Sequence, residues 1–131
     1  MSRSRKVLLG AAAVVLFGAA QSAGQDIAAG EKLFGRCKAC HAVGEGAKNK
    51  VGPQLNGVVG RKAGGLEDFK YSGAMTEAGE GGLTWNDETL AAYLADPRGF
   101  VKGNRMAFAG IKKEEDLANV IAYLKTFSAG N

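Results

Sequence analysis

Residues 37–41, "CKACH", contain both cysteines and the only histidine of this 131-residue chain. Four kinds of chemistry use such residues. A disulfide is open to an exported protein but leaves the histidine unexplained. A thioredoxin-like pair wants a βαβ setting, which the surrounding pattern lacks. Structural zinc usually takes four Cys or His ligands; here there are three in all, so a carboxylate would have to complete the set. C-x-x-C-H is the signature of covalent haem attachment. Two thiols three positions apart can each form a thioether with one of the two haem vinyl groups. The imidazole that follows can then serve as proximal iron ligand.

The sixth iron position decides what such a haem does. A second strong ligand favours electron transfer; an open site favours gas binding or peroxidase chemistry. With histidine exhausted, methionine is the main candidate. Met1 belongs to the leader described below, Met75 lies in "YSGAMTEAGEGG", and Met106 lies in "KGNRMAFAGI". Methionine is more often flexible core filler than a ligand. Met106, however, lies on no helical apolar stripe and sits in a loop between Gly103 and Gly110, which favours it over Met75.

The elements that must position these residues read as helices. In "DIAAGEKLFGRCKACH", Ile27, Gly30, Phe34, Cys37 and His41 recur at steps of three and four, placing them on one helical face. Asp26 is a suitable N-cap. Gly30 costs helix stability and allows a close crossing by another helix. "NDETLAAYLADP" follows Asn86 or Thr84 as cap and is stopped by Pro97. In "KKEEDLANVIAYLKTF", Leu117, Val120, Ile121, Leu124 and Phe127 form one apolar stripe behind an acidic first turn. Nothing alternates with period two, so the expected class is all-α. Residues 42–84 hold eleven glycines and no long periodic run. A bare loop of that length is improbable in a compact domain. It is expected to pack on a large flat cofactor that supplements a thin protein core.

"MSRSRK" followed by the uncharged run Val7–Ala20 and the small residues of "QSAG" has the layout of a secretory leader. The run is shorter than the roughly 20 residues that span a bilayer. The expected organisation is a cleaved signal peptide over 1–24 and one domain over 25–131, located in the periplasm and not membrane-embedded. The whole chain carries a net charge of +4. Removing Arg3, Arg5 and Lys6 leaves 14 basic against 13 acidic residues. The basic balance is therefore mostly leader and gives no reason to expect nucleic acid as a partner.

The ordered stretches "GEKLFGRCKACH", "GPQLNGVVGRKAG", "GLTWNDETLAAYLADP", "GNRMAFAGI" and "LANVIAYLK" resemble the class I cytochromes c, mitochondrial cytochrome c and its small soluble bacterial counterparts. The resemblance spans nearly all of residues 25–131. It implies three main helices plus short helices and long loops wrapped around one covalent haem. It implies Cys37 and Cys40 as attachment points, and His41 and Met106 as iron ligands. It implies the Pro53 carbonyl as acceptor for the second ring nitrogen of His41. It also implies Arg61, Tyr71 and Trp85 near an inner propionate, Tyr93 near the methionine sulfur, and Gly30 and Phe34 where the first and last helices cross. The segment from Tyr71 to Trp85 is longer than the mitochondrial pattern, Asn104 replaces a threonine, and Met75 falls near a family asparagine beside the haem. The implied activity is that of a monomeric, non-enzymatic electron carrier between a cytochrome bc complex and an oxidase or photosynthetic reaction centre. Arg36, Lys38, Lys50, Lys102 and Arg105 are expected to ring the exposed haem edge and steer acidic partners. The competing classes are a haem peroxidase and a gas-binding c-type cytochrome.

Overall fold

The computed structural model describes residues 10, 13, 14 and 26–128. The expected leader and its cut after Gly24 lie almost wholly outside the described residues. Five helices follow one another: α1 (Ile27–Phe34), α2 (Gly73–Glu80), α3 (Asp87–Ala95), α4 (Pro97–Phe100) and α5 (Glu114–Lys125). The only ladder contact among the described residues is a single antiparallel bridge between Lys62 and Thr84. The class is all-α, as the sequence pattern indicates.

α1 and α5 cross at Gly30. A Cβ there would overlap the Asn119 carbonyl and stand 2.9 Å from the Tyr123 Cβ, so only glycine permits this approach. Phe34, fully buried, packs on Tyr123 with ring centroids 5.5 Å apart. The buried Asn119 accepts a 2.9 Å hydrogen bond from the Asp26 backbone N–H, which fastens the start of α1 to α5. Asp26 also caps α1 through its side chain, accepting from Ala29 N–H at 3.0 Å. The stripe Leu117, Val120, Ile121 and Leu124 is buried. Phe127 lies past the end of α5, half-buried against Tyr123.

α3 packs on both α5 and α4. Asn86 is its cap, in a reciprocal arrangement with Thr89, while Thr84 contributes only a carbonyl that accepts from the Thr89 hydroxyl at 2.7 Å. Pro97 does end α3, and it also opens α4 as its first residue, where a missing N–H costs nothing.

Two expectations change. α1 stops at Phe34 rather than running through the motif; residues 35–40 form successive turns closed by Cys37 N–H to Phe34 O at 2.8 Å and Cys40 N–H to Cys37 O at 3.1 Å. The 42–84 segment also contains α2, which lacked any apolar periodicity. Its start is fixed by buried Ser72, whose hydroxyl accepts from Met75 N–H at 3.1 Å. Its Gly79 lies so close to the Ala63 carbonyl that a side chain would collide with it.

Candidate haem site

The turns after α1 present Cys37 and Cys40, both free and half-buried. The reach across both thiols comes from this turn geometry, since Cys40 N–H and His41 N–H both bond the Cys37 carbonyl. Burial pushes the Cys37 thiol above its ordinary range, with the nearby Arg36 charge opposing.

His41 begins the next loop. Its Nδ1 lies 2.7 Å from the Pro53 carbonyl oxygen, so Nδ1 carries the proton and donates, leaving Nε2 as the free lone pair. Burial lowers the pKa of the ring, and the Pro53 bond works against that effect. The neutral form is the one a metal binds. Gly52 lies against the ring face; a Cβ there would stand within 2.9 Å of both ring nitrogens. The loop is tied back to the motif by Gly52 N–H to Cys40 O at 2.9 Å and Leu55 N–H to Ala42 O at 2.9 Å.

From this loop a chain of contacts leads to Met106. Arg61 donates to the Gln54 carbonyl at 3.0 Å and to the Asn56 carbonyl at 2.6 Å. Gly60 N–H donates to the Trp85 carbonyl at 2.6 Å. The buried Trp85 ring packs on buried Tyr93 at 4.9 Å between centroids. The Tyr93 hydroxyl donates to Met106 Sδ at 3.7 Å. Burial pushes the Tyr93 pKa to about 12, which keeps that donor proton in place through the physiological range.

Tyr71 is placed differently from the other aromatic candidates. Its hydroxyl accepts from Leu66 N–H at 3.2 Å, and its ring packs edge-on against Phe69. Arg61 and Tyr71 thus both have protein partners within their own loops. Met75 sits half-buried on α2. Neighbouring Ala74 lies 3.4 Å from where a Gly103 side chain would begin, so the start of α2 abuts the Met106 loop.

One residue that matters here escaped sequence reasoning as anything but a departure. Asn104 donates to the Pro97 and Val101 carbonyls, each at 2.8 Å, and accepts from Met106 N–H at 2.9 Å. The only sequence signal for it is its place two residues before the methionine.

The donor set suits a covalently attached haem. It offers two free thiols, one imidazole nitrogen left unshared by the Pro53 bond, and one thioether sulfur held from behind by Tyr93. Leu55, Val59, Leu94 and Phe108 pack on the core while remaining only half-buried, as apolar walls for a flat group do. No cluster of three or more His, Cys, Asp or Glu side chains that could hold a metal occurs among the described residues.

Known proteins resemble this chain over most of its length. The family described as cytochrome c matches residues 27–128. Cytochrome c2 of Agrobacterium tumefaciens is 58% identical over 106 residues, covering 81% of this chain and 95% of that protein. Cytochrome c2 of Afifella marina is 57% identical over 104 residues, covering 79% and 84%. Among solved structures, cytochrome c2 from Rhodospirillum centenum superposes with a TM-score of 0.75 at 42% identity, covering 79% of this chain and 98% of that one.

Proposed function

The chain belongs to the cytochrome c family, and from that premise we propose that it carries single electrons from a cytochrome bc complex to a terminal oxidase or photosynthetic reaction centre. A haem bound here supplies an iron that cycles between ferrous and ferric. The protein's part would be to hold the two iron ligands still. Cys37 and Cys40 would anchor the group, His41 Nε2 and Met106 Sδ would ligate its iron, and the Pro53 carbonyl holds the imidazole in one orientation. The observation that carries the reading is that Met106 Sδ already has its own hydrogen-bond donor in Tyr93, 3.7 Å away. A sulfur held in this way would be available as the sixth iron ligand, a role that would exclude peroxide and gas. The chain has no second histidine for acid–base work there. It acts as a carrier and not an enzyme.

Trp85, Arg61 and Tyr71 are assigned to the wall around the propionate edge. Arg61 and Tyr71 act there mainly by holding their own loops, given the carbonyl and amide partners they already have. Arg36, Lys38, Lys50, Lys102 and Arg105 are all exposed. Lys50 Nζ donates to the Lys38 carbonyl at 2.8 Å, which keeps two of these residues together beside the motif. They form the docking surface for acidic partners, raising encounter rate more than affinity. The leader pattern supports export of the mature chain to the periplasm, where it would act as a monomer. No helix among the described residues is long and apolar enough to cross a membrane.

The test is a redox titration with visible spectra of the purified mature protein. A one-electron transition, a weak long-wavelength ferric band and indifference of the ferrous form to carbon monoxide are expected. Ready carbon monoxide binding would sink the carrier reading in favour of an open-site cytochrome. The bimolecular electron-transfer rate should fall steeply with ionic strength, because exposed charges are screened beyond about 10 Å at 0.1 M salt.

A further inference from the structure

We propose that Asn104 is the positioning residue for the sixth ligand: it fastens the Met106 backbone to the junction of α3 and α4. The inference rests on Met106 being that ligand.

Both donor hydrogens of the Asn104 amide are used, on the Pro97 and Val101 carbonyls at 2.8 Å each. Its Oδ1 accepts from Met106 N–H at 2.9 Å. One short side chain therefore bridges the first residue of α4, the residue that ends α4, and the backbone of the ligand. Such an amide can make few further bonds, so the position is fully committed. The platform it grips is itself secured. Pro97 is buried, and Asp96 caps α4 by accepting from Gly99 N–H at 3.1 Å.

The geometry of the loop shows why this link is needed. Gly103 has φ +89°, a left-handed turn that reverses the chain just before the methionine. The Met106 sulfur is held only by Tyr93, which also comes from α3. On the far side, Ile111 N–H donates to Leu94 O at 2.8 Å, which returns the loop to the same helix. Between Gly103 and Ile111, Met106 itself is tied down by sulfur to Tyr93 and by backbone to Asn104. Both ties lead back to one segment, residues 93–101. Without Asn104 the methionine keeps only its sulfur bond to that segment, while its neighbour Arg105 keeps a long bond to the Lys70 carbonyl at 3.5 Å.

The experiment compares haem-loaded Asn104→Ala and Asn104→Ser with Thr89→Ala. The Thr89 change removes the reciprocal cap of α3 and lowers overall stability without touching the loop. Three readouts are taken: the ferric long-wavelength band, the rate of carbon monoxide binding to the ferrous form, and the midpoint potential. Loss of hydrogen bonds of ordinary strength shifts the closed–open equilibrium of the loop by about tenfold. Asn104→Ala is therefore expected to bind carbon monoxide about tenfold faster, with a weakened band and a lower potential, because methionine ligation raises it. Asn104→Ser, which can still accept from Met106 N–H, should fall between. Thr89→Ala should lose stability with all three readouts unmoved. Equal carbon monoxide rates in Asn104→Ala and Thr89→Ala would overturn the proposal. An unaltered protein that lacks the band and binds carbon monoxide freely would overturn Met106 ligation itself, and this inference with it. If Asn104→Ala fails to mature, amide exchange of Met106 in the unaltered protein decides: slow exchange supports the tie, and exchange at the rate of an unstructured peptide refutes it.

Discussion

His41 is gripped through its ring. One nitrogen is bonded to Pro53 at 2.7 Å, a glycine backbone lies against its face, and it follows directly on two attachment cysteines. Met106 is gripped mostly through its backbone, and its sulfur has a single long contact of 3.7 Å. The histidine side is locked by strong bonds close to the ligating atom and by the covalent links beside it. The methionine side depends on a loop staying closed. In a carrier whose iron keeps both ligands, the weaker grip sets the limit on rigidity. Ligand exchange, when forced, should begin at Met106.

The comparison breaks most visibly at the cysteines. In Cys37→Ala/Cys40→Ala, acid–acetone extraction should remove all haem, whereas the unaltered protein should retain all of it. Retention in the double variant would mean that attachment lies elsewhere. Next in size is Met106→Ala, which should lose the sulfur band and admit carbon monoxide, while Met75→Ala should do neither. The reverse outcome would move the ligand to α2. Gly52→Ala probes the histidine side. The new methyl would press on the His41 ring, and overpacking of this kind costs about 1–3 kcal/mol. A thermal melt of the haem-loaded variant should show a clear drop, with the sulfur band intact; an unchanged melt would show that the ring has room to move. Smallest is Tyr93→Phe, which deletes one weak O–H···S bond. Its cost should be under about 1 kcal/mol, with a slight fall in potential because the sulfur donates more freely to ferric iron. A large fall would place Tyr93 on a par with Asn104 as a restraint.

Much of the frame could be read from the chain because it rests on short-range rules. Asp26 and Asn86 announce helix starts by side-chain capping, and the Leu117–Leu124 stripe announces α5 by its period. The motif itself is specific because its five residues use every thiol and imidazole available. What stayed hidden has no period. α2 reads "GAMTEAGE", with no apolar face, and it exists because Ser72 caps it and Gly79 can sit on the Ala63 carbonyl. The motif was expected on a continuing helix, but Gly35 begins a run of turns instead. Spacing alone cannot distinguish helix from repeated turns, since both bring positions three apart to one side. Asn104 acts through backbone carbonyls that only become neighbours once α4 has turned the chain back.

The crossing at Gly30 also sets an order of events in time. Asp26 and Asn119, joined by a hydrogen bond, are 93 positions apart. α1 has eight residues, below the length at which an isolated helix is stable in water. It therefore acquires its packing partner only when the last quarter of the chain is present, and contacts of such long sequence separation slow folding. Until then α1, which leads into the segment carrying Cys37 and Cys40, lacks the helix it crosses, and the late arrival of α5 completes that crossing.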